Sequence, residues 1–482
     1  MNAIAQLARS IYWAILICIG VCYPATLTAQ YSTSVNISNG KTTIKVNNGL
    51  NKYVIESKGT FVLSDDDKDI LSVSSGGYLE LSKTAFGSRR RMVIEPNGSG
   101  GVEKTYYEGS RKVSFIPDGK AWLAEVLPEI VRSTVLGAES RVNRFYRNGG
   151  TPAVLAEVRQ LDSDYVATKY IELLMEKGLS VAELTQIVKV AGESIESDHH
   201  LAEILRHNRE ALTQSPGAIS AYIVATKNIE SDHHKSQVLR GIIKDDQISD
   251  AQLGELLAIT EGIDSDHHLA EVYKSIINER ELSDQNINTL IKLSESIDSD
   301  HHKAETFKRL INDRDLSSAN LALFLEQLED INSDHHMTSV LMEVVEKDIN
   351  EKNQILLLDL IDDEISSDHH ARAVLIDFAE EQEMSDEVYG VYLNTVESIS
   401  SDHFSAEVLK NLVEEEKLNE NRMLELLDAM ESISSDHFLT EAMMAIANDV
   451  RNSGSTVKNA YRKVAKSISS EMFYGRVIRA ID

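Results

Sequence analysis

A six-residue phrase, Ile-x-Ser-Asp-His-His, returns along this chain at a fixed interval, with its Ser at 163, 197, 231, 265, 299, 333, 367, 401 and 435. Each step is 34 residues, and a further copy, Ser470-Glu471, lies one residue out of register. A fixed period of this length marks a stacked array of supersecondary units, none of which can bury its apolar face alone. Because the repeats align with one another, each position can be read for what it tolerates.

The structural core of the phrase is the pairs Ser197-Asp198, Ser231-Asp232, Ser265-Asp266, Ser299-Asp300, Ser333-Asp334, Ser367-Asp368, Ser401-Asp402 and Ser435-Asp436. Ser ahead of an amphipathic run is a helix N-cap, and an acidic residue in the first turn complements the helix dipole. An apolar anchor stands two residues before each Ser, as in Ile195, Ile229 and Ile263. Five residues after Ser the side chain is small, as in Ala202, Ala270 and Ala304, with Arg372 the exception. Val272, Tyr273, Ile276 and Ile277 then form one helical face. A break at Glu281-Leu282-Ser283 precedes a second helix with Ile287, Leu290 and Ile291 inward. Each repeat therefore reads as helix, turn, helix, turn. The tetratricopeptide signature and a HEAT-type proline pattern are both missing, so the array is an α/α solenoid of no named class.

Fourteen of the fifteen histidines lie in this phrase. The second His position also accepts Val166, Phe404, Phe438 and Phe473, the tolerance of a packing site, and is expected to be largely buried between repeats. The first position holds His199, His233, His267, His301, His335 and His369 beside the Asp. The structural reading pairs the Asp of one repeat with the His of the next. That pairing would raise the histidine pKa values and favour a mildly acidic stability window. The functional readings are zinc, nickel or copper ligation by those six histidines with the Asp carboxylates, or an exposed recognition strip.

Ahead of the array, residues 31–117 carry short alternating runs at Thr42–Val46, Lys52–Glu56, Thr60–Leu63, Tyr78–Leu81, Arg91–Glu95 and Lys112–Ile116. Asn39-Gly40, Asn48-Gly49, Gly76-Gly77 and Asn97-Gly98 punctuate them as hairpin turns. The predicted fold class is α+β and multidomain: a small antiparallel β domain over 31–117, a helical cap or linker over 119–160 and an α/α solenoid of nine to ten 34-residue repeats over 161–482. Ala121–Thr134, Ala138–Arg147 and Pro152–Gln160 are the helical segments of the linker. Asp65-Asp66-Asp67-Lys68-Asp69 reads as a solvated turn rather than a calcium loop, since the ligand spacing of an EF-hand is missing. Arg89-Arg90-Arg91 reads as a charged strand edge or a docking point for the acidic array.

Residues 1–29 read as a signal peptide: Arg9, an apolar Ile11–Tyr23, and a cleavage region ending at Ala29. A retained anchor, or a lipoprotein processed at Cys22, are the alternatives. No second apolar span follows, so the mature chain has no transmembrane segment, and its expected location is periplasmic or secreted. Both cysteines, Cys18 and Cys22, fall in this leader, which leaves the mature chain without disulfides or thiolate ligands.

Residues 1–160 contain 19 Lys/Arg and 14 Asp/Glu, and residues 161–482 contain 29 and 63. A polyanion of that size argues against nucleic acid; it permits a basic protein, cationic peptides or divalent cations as partners, or serves solubility and repulsion between copies. There is no His-Glu-x-x-His, Gly-x-Ser-x-Gly or phosphate-binding loop, so neither an enzyme nor a cofactor is expected. Phe61-Val62-Leu63-Ser64-Asp65-Asp66, Gly76-Gly77 and Ala121-Trp122-Leu123-Ala124-Glu125-Val126-Leu127-Pro128, followed by the Ser-Asp repeats, resemble uncharacterised bacterial secreted proteins. They are also similar to tails of membrane metallopeptidases of the penicillin-sensor type. The resemblance implies a regulatory ectodomain without peptidase activity, because the protease motif is missing. The sequence thus points to a non-enzymatic envelope scaffold, with metal binding and a sensor-type ectodomain as alternatives.

Overall fold

The computed structural model describes residues 32–38, 40–47 and 51–482; the leader, the Asn48-Gly49 turn and Asn39 fall outside them. The chain divides into two compact units, Met1–Gly178 and Leu179–Asp482. Among the described residues no helix is long and apolar enough to cross a membrane.

The first unit is built on a seven-stranded antiparallel sheet in the order β1-β2-β3-β6-β7-β8-β9. Its strands are β1 (Ser32–Ser38), β2 (Lys41–Asn47), β3 (Asn51–Lys58), β6 (Tyr78–Ala85), β7 (Ser88–Pro96), β8 (Val102–Glu108) and β9 (Arg111–Val113). A separate hairpin, β4 (Phe61–Leu63) with β5 (Ile70–Val73), interrupts the meander between β3 and β6. Alternation places Ile44, Ile55, Leu81, Met92 and Tyr106 in one cross-strand row, and all five are buried. Gly40 and Gly98 take positive φ in the tight turns that precede β2 and β8, where a side chain would be strained.

Helix Lys120–Ser133 closes this core. Trp122, Leu123, Val126, Leu127, Ile130 and Val131 pack in the same apolar cluster as the strand residues. The segment expected to be a cap or linker begins by completing the β domain. The following helix, Ala138–Val158, breaks at Gly149 and Gly150, which separates its two halves as the sequence implies. It is followed in this unit by Asp164–Met175, the first helix preceded by a phrase Ser.

Two expectations for this unit fail. Asp67 is not in a solvated turn: its carboxylate accepts from Arg141 Nε at 3.0 Å and Arg144 Nη2 at 2.7 Å. Arg141 is 1 % exposed and also donates to Glu157 at 2.6 Å, to the Val131 carbonyl and to Tyr170. Asp69 pairs with Lys104. Likewise Arg89-Arg90-Arg91 is not on a sheet edge. It lies on β7, between β6 and β8, where Arg91 pairs with Glu80 and stacks over Tyr107.

The second unit is the helical repeat array. First helices run Asp198–His207, Asp232–Ile242, Asp266–Glu279, Asp300–Asp313, Asp334–Val345, Asp368–Glu381, Asp402–Glu415, Asp436–Asn452 and Glu471–Ile481. Second helices include Val181–Ser194, Pro216–Lys227, Asp250–Ile259, Asp284–Leu293, Ser318–Leu328 and Glu351–Glu364. The stripe Val272, Tyr273, Ile276, Ile277 with Ile287, Leu290 and Ile291 is buried, as its periodicity requires. The small position is buried too; Arg372, its exception, lies half-exposed over the Phe404 ring of the next repeat and pairs with Glu407.

The Arg141 network yields a stability test. Arg141→Ala strips Asp67 and Glu157 of a shared buried cation, and loss of one partner of such a group costs about 3 kcal/mol or more. Urea unfolding followed by Trp122 fluorescence should show that loss; a change under about 1 kcal/mol would contradict a buried, mutually dependent network.

Candidate functional site

Every phrase Ser in the array stands at a first-helix N-cap with extended backbone, from Ser197 to Ser470. Its hydroxyl accepts from the backbone N–H three residues on at Ser197, Ser231, Ser265, Ser299 and Ser333, in each case at 3.5 Å. That is a long bond for an N-cap, so the hydroxyl alone does not fix the repeat.

The carboxylate of the following residue does more, and not with the partner expected of it. Asp198 accepts from the backbone N–H of Glu230 at 2.9 Å and of Ser231 at 2.7 Å, in the next repeat. Asp232 accepts from Ser265 at 2.8 Å, and Asp266 from Ser299 at 2.8 Å and Asp298 at 3.3 Å. Asp300 and Asp368 each accept from the residue before the next Ser. Asp402 takes Ser434 and Ser435, and Asp436 takes Ser469 and Ser470. The expected Asp-to-His ladder is thus an Asp-to-backbone ladder. The physical reason is that N–H groups at a helix start lack intrahelical partners, and an ionised carboxylate is their strongest acceptor.

A second row of caps starts the second helices, at Ser180, Ser215, Ser249, Ser283, Ser317, Asn350, Ser385 and Asn419. Three residues later, buried amides reach back one repeat. Gln252 donates to the Pro216 carbonyl, Asn286 to Asp250, Asn320 to Asp284 and Asn353 to Ser318, at 3.0–3.1 Å to the carbonyl oxygens. This row leaves a weak mark in the sequence: a polar residue recurring near the start of each second helix.

With the helix starts locked in register, the histidines form one row of rings. His200 packs against His199, His199 against His234 of the next repeat, His234 against His233, and so on through His370 and His369. The row continues through Phe404, His403, Phe438 and His437 to Phe473, with neighbouring centroids 5.0–6.2 Å apart from end to end. Phe404, Phe438 and Phe473 occupy the place of the second His, which accounts for their interchange. That position is half-buried rather than largely buried, because it caps the row instead of entering the core. The first position, His199, His233, His267, His301, His335 and His369, is exposed. Of those six metal candidates, only His199 stands, among the described residues, in a group of three residues that could hold a metal ion, with His200 and Glu203.

Two second-position histidines, His234 and His302, are shifted downward by their surroundings. His234 is held below the ordinary imidazole pKa first by burial and then by the neighbouring His233 and His199, with Asp198 opposing and Arg206 assisting. His302 is lowered in the same way by burial, His301, His267 and Lys274, against Asp266.

Neither a protein-family model nor a curated protein matches the chain. Two solved structures are similar in part. One is the Chs5-Bch1 exomer cargo adaptor complex, at 11 % identity over 89 % of this chain and 84 % of that chain, with a TM-score of 0.19. The other is a circular tandem repeat protein with novel repeat topology, at 12 % identity over 76 % of this chain and 78 % of that chain, with a TM-score of 0.16. At such scores the architecture rests on the chain's own helices and strands.

The lowered histidines set a pH dependence. A folded pKa below the unfolded value means the unfolded state binds the proton more readily. The stability is therefore present above the unfolded value of about 6.5 and is lost as pH falls through the folded one. Thermal melts of a His234→Phe, His302→Phe variant should lose less between about pH 7.5 and about pH 5.5 than the parent. Equal losses in both would show that the ring row does not carry the effect.

Proposed function

We propose that this protein is a non-enzymatic scaffold of a bacterial envelope, whose helical array presents an acidic surface to a basic protein. One observation carries the reading. Glu346, which caps the C-terminus of the first helix Asp334–Val345, and Glu380 and Glu381 at the end of Asp368–Glu381 are exposed around the half-buried Asp377. The Asp377 carboxyl is pushed above the usual carboxylate range, first by burial and then by Glu380, Glu346 and Glu381. Like charges held this close repel one another, and a cation from outside relieves that repulsion. Glu414 and Glu415 extend the same exposed acidic character to the helix Asp402–Glu415.

Serial repetition supports a surface rather than a catalytic centre. A reaction needs one unique constellation, whereas here the same polar groups return every 34 residues. Export rests on the leader-like residues 1–29, and a net formal charge of −29 speaks against nucleic acid.

The test is calorimetric titration of the untagged chain with a lysine-rich peptide and with a neutral peptide of equal length. The lysine-rich peptide should bind and weaken as salt rises. An Asp377→Asn, Glu380→Gln, Glu381→Gln variant should bind it about tenfold more weakly, a loss of about 1.4 kcal/mol. Equal binding of the neutral peptide, or unchanged affinity in the variant, would overturn the reading.

A further inference from the structure

One helix start departs from the rest of the ring row. On Asp198–His207 the Glu203 carboxylate is approached by three imidazole nitrogens: His199 Nε2 at 3.9 Å, His200 Nδ1 at 3.8 Å and His207 Nδ1 at 3.9 Å. Helical spacing explains the convergence. Positions 199, 203 and 207 follow one another at i, i+4, and position 200 is three before Glu203, so all four fall on adjoining ridges. One ligand atom each from His199, His200 and Glu203 lie within 4.8 Å of one another.

These separations are longer than hydrogen bonds, which span roughly 2.7–3.2 Å. They are close to the edge of a tetrahedron of ligands. Nitrogen and oxygen atoms bound to zinc at about 2.0–2.1 Å stand roughly 3.3–3.4 Å apart. Small rotations of exposed and half-exposed side chains close that difference.

The other repeats show why this one is set apart. Glu271, Glu305, Glu407 and Glu441 occupy the position of Glu203, and each is neutralised by a cation: Lys274 at 2.9 Å, Lys308 at 2.7 Å, Arg372, and Lys410 at 3.3 Å. In Asp198–His207 the residue matching Lys274 and Lys308 is Arg206, and its guanidinium donates to Gln237 instead. The position of His207 is filled elsewhere by Ser275, Arg309, Asn411 and Ala445. His207 is also the one histidine outside the repeated phrase. A carboxylate without the usual lysine, and an extra imidazole aimed at it, coincide in a single helix.

We propose that His199, His200 and Glu203 bind one divalent transition-metal ion of the zinc class, with His207 standing beside the other Glu203 oxygen as an outer partner. Two imidazoles and a carboxylate, with water in the fourth position, suit such an ion, which nitrogen and oxygen donors hold with tetrahedral or nearby geometry. The repeat Asp carboxylates take no part, since they are engaged by backbone N–H groups of the following repeats. The site is independent of the acidic surface and of any partner bound there.

Zinc titration of untagged, metal-stripped protein by calorimetry tests the site, with metal content after dialysis as a second readout. One equivalent should bind. Glu203→Gln and His207→Gln should each weaken it by about tenfold or more. A His267→Gln, His268→Gln variant, altered in a repeat that has only the ring pair and a lysine-paired Glu271, should bind as the parent does. Far-UV circular dichroism would verify that each variant is folded. No zinc uptake by the parent, undiminished uptake in a Glu203→Gln, His207→Gln double variant, or loss of zinc in the His267→Gln, His268→Gln variant would each overturn the proposal.

Discussion

The array depends on one interaction, repeated: a carboxylate at the start of one helix accepts the backbone N–H groups that open the next repeat's helix. The bond from Asp266 to Ser299, at 2.8 Å, joins residues 33 apart. It satisfies donors that a helix cannot satisfy internally, and it places negative charge near the positive ends of two successive helix dipoles. Each Asp therefore caps its own helix electrostatically and the next by hydrogen bonding. Apolar burial supplies most of the stability of such stacks, but it is not directional. The carboxylate, together with the buried amides Gln252, Asn286, Asn320 and Asn353 on the second helices, sets which repeat position meets which.

The row of rings follows from that register. Once each helix start is fixed against the next, the residue two after Ser meets the residue three after the following Ser, as His233 meets His268 at 5.5 Å. A titratable nitrogen is not needed there, which is why Phe404 and Phe438 continue the row. The exposed outer member of each pair is then available for other chemistry, and in the helix Asp198–His207 it meets Glu203.

Much of this was legible in the sequence. The 34-residue period, the Ser caps, the small position and the apolar stripe around Tyr273 all express local rules of helix geometry, and self-alignment amplified them. The partner of the Asp was not legible, because a backbone N–H leaves no mark on residue identity. Neighbouring histidines offered a plausible side-chain partner, and the reading took it. In the β domain, β1, β5 and β8 escaped notice because they are short or rich in Ser, Thr, Lys and Glu. Asp67 looked like part of a solvated turn for a different reason. Its partners Arg141 and Arg144 lie 74 and 77 residues away, and only the fold brings them together. The metal-type cluster was partly visible: His199 was singled out, while Glu203 and His207 needed helical spacing and the missing lysine to be recognised.

Amide hydrogen exchange tests the carboxylate ladder most directly. The backbone N–H groups of Ser231, Ser265, Ser299 and Ser435 sit at helix starts, where amides have no intrahelical acceptor and exchange fast when only water is their partner. The ladder predicts that these amides are protected like the helix interior, and that Asp266→Ala removes protection at Ser299 while leaving Ser231 and Ser435 protected. Fast exchange at all four in the parent, or unchanged protection of Ser299 in Asp266→Ala, would contradict it.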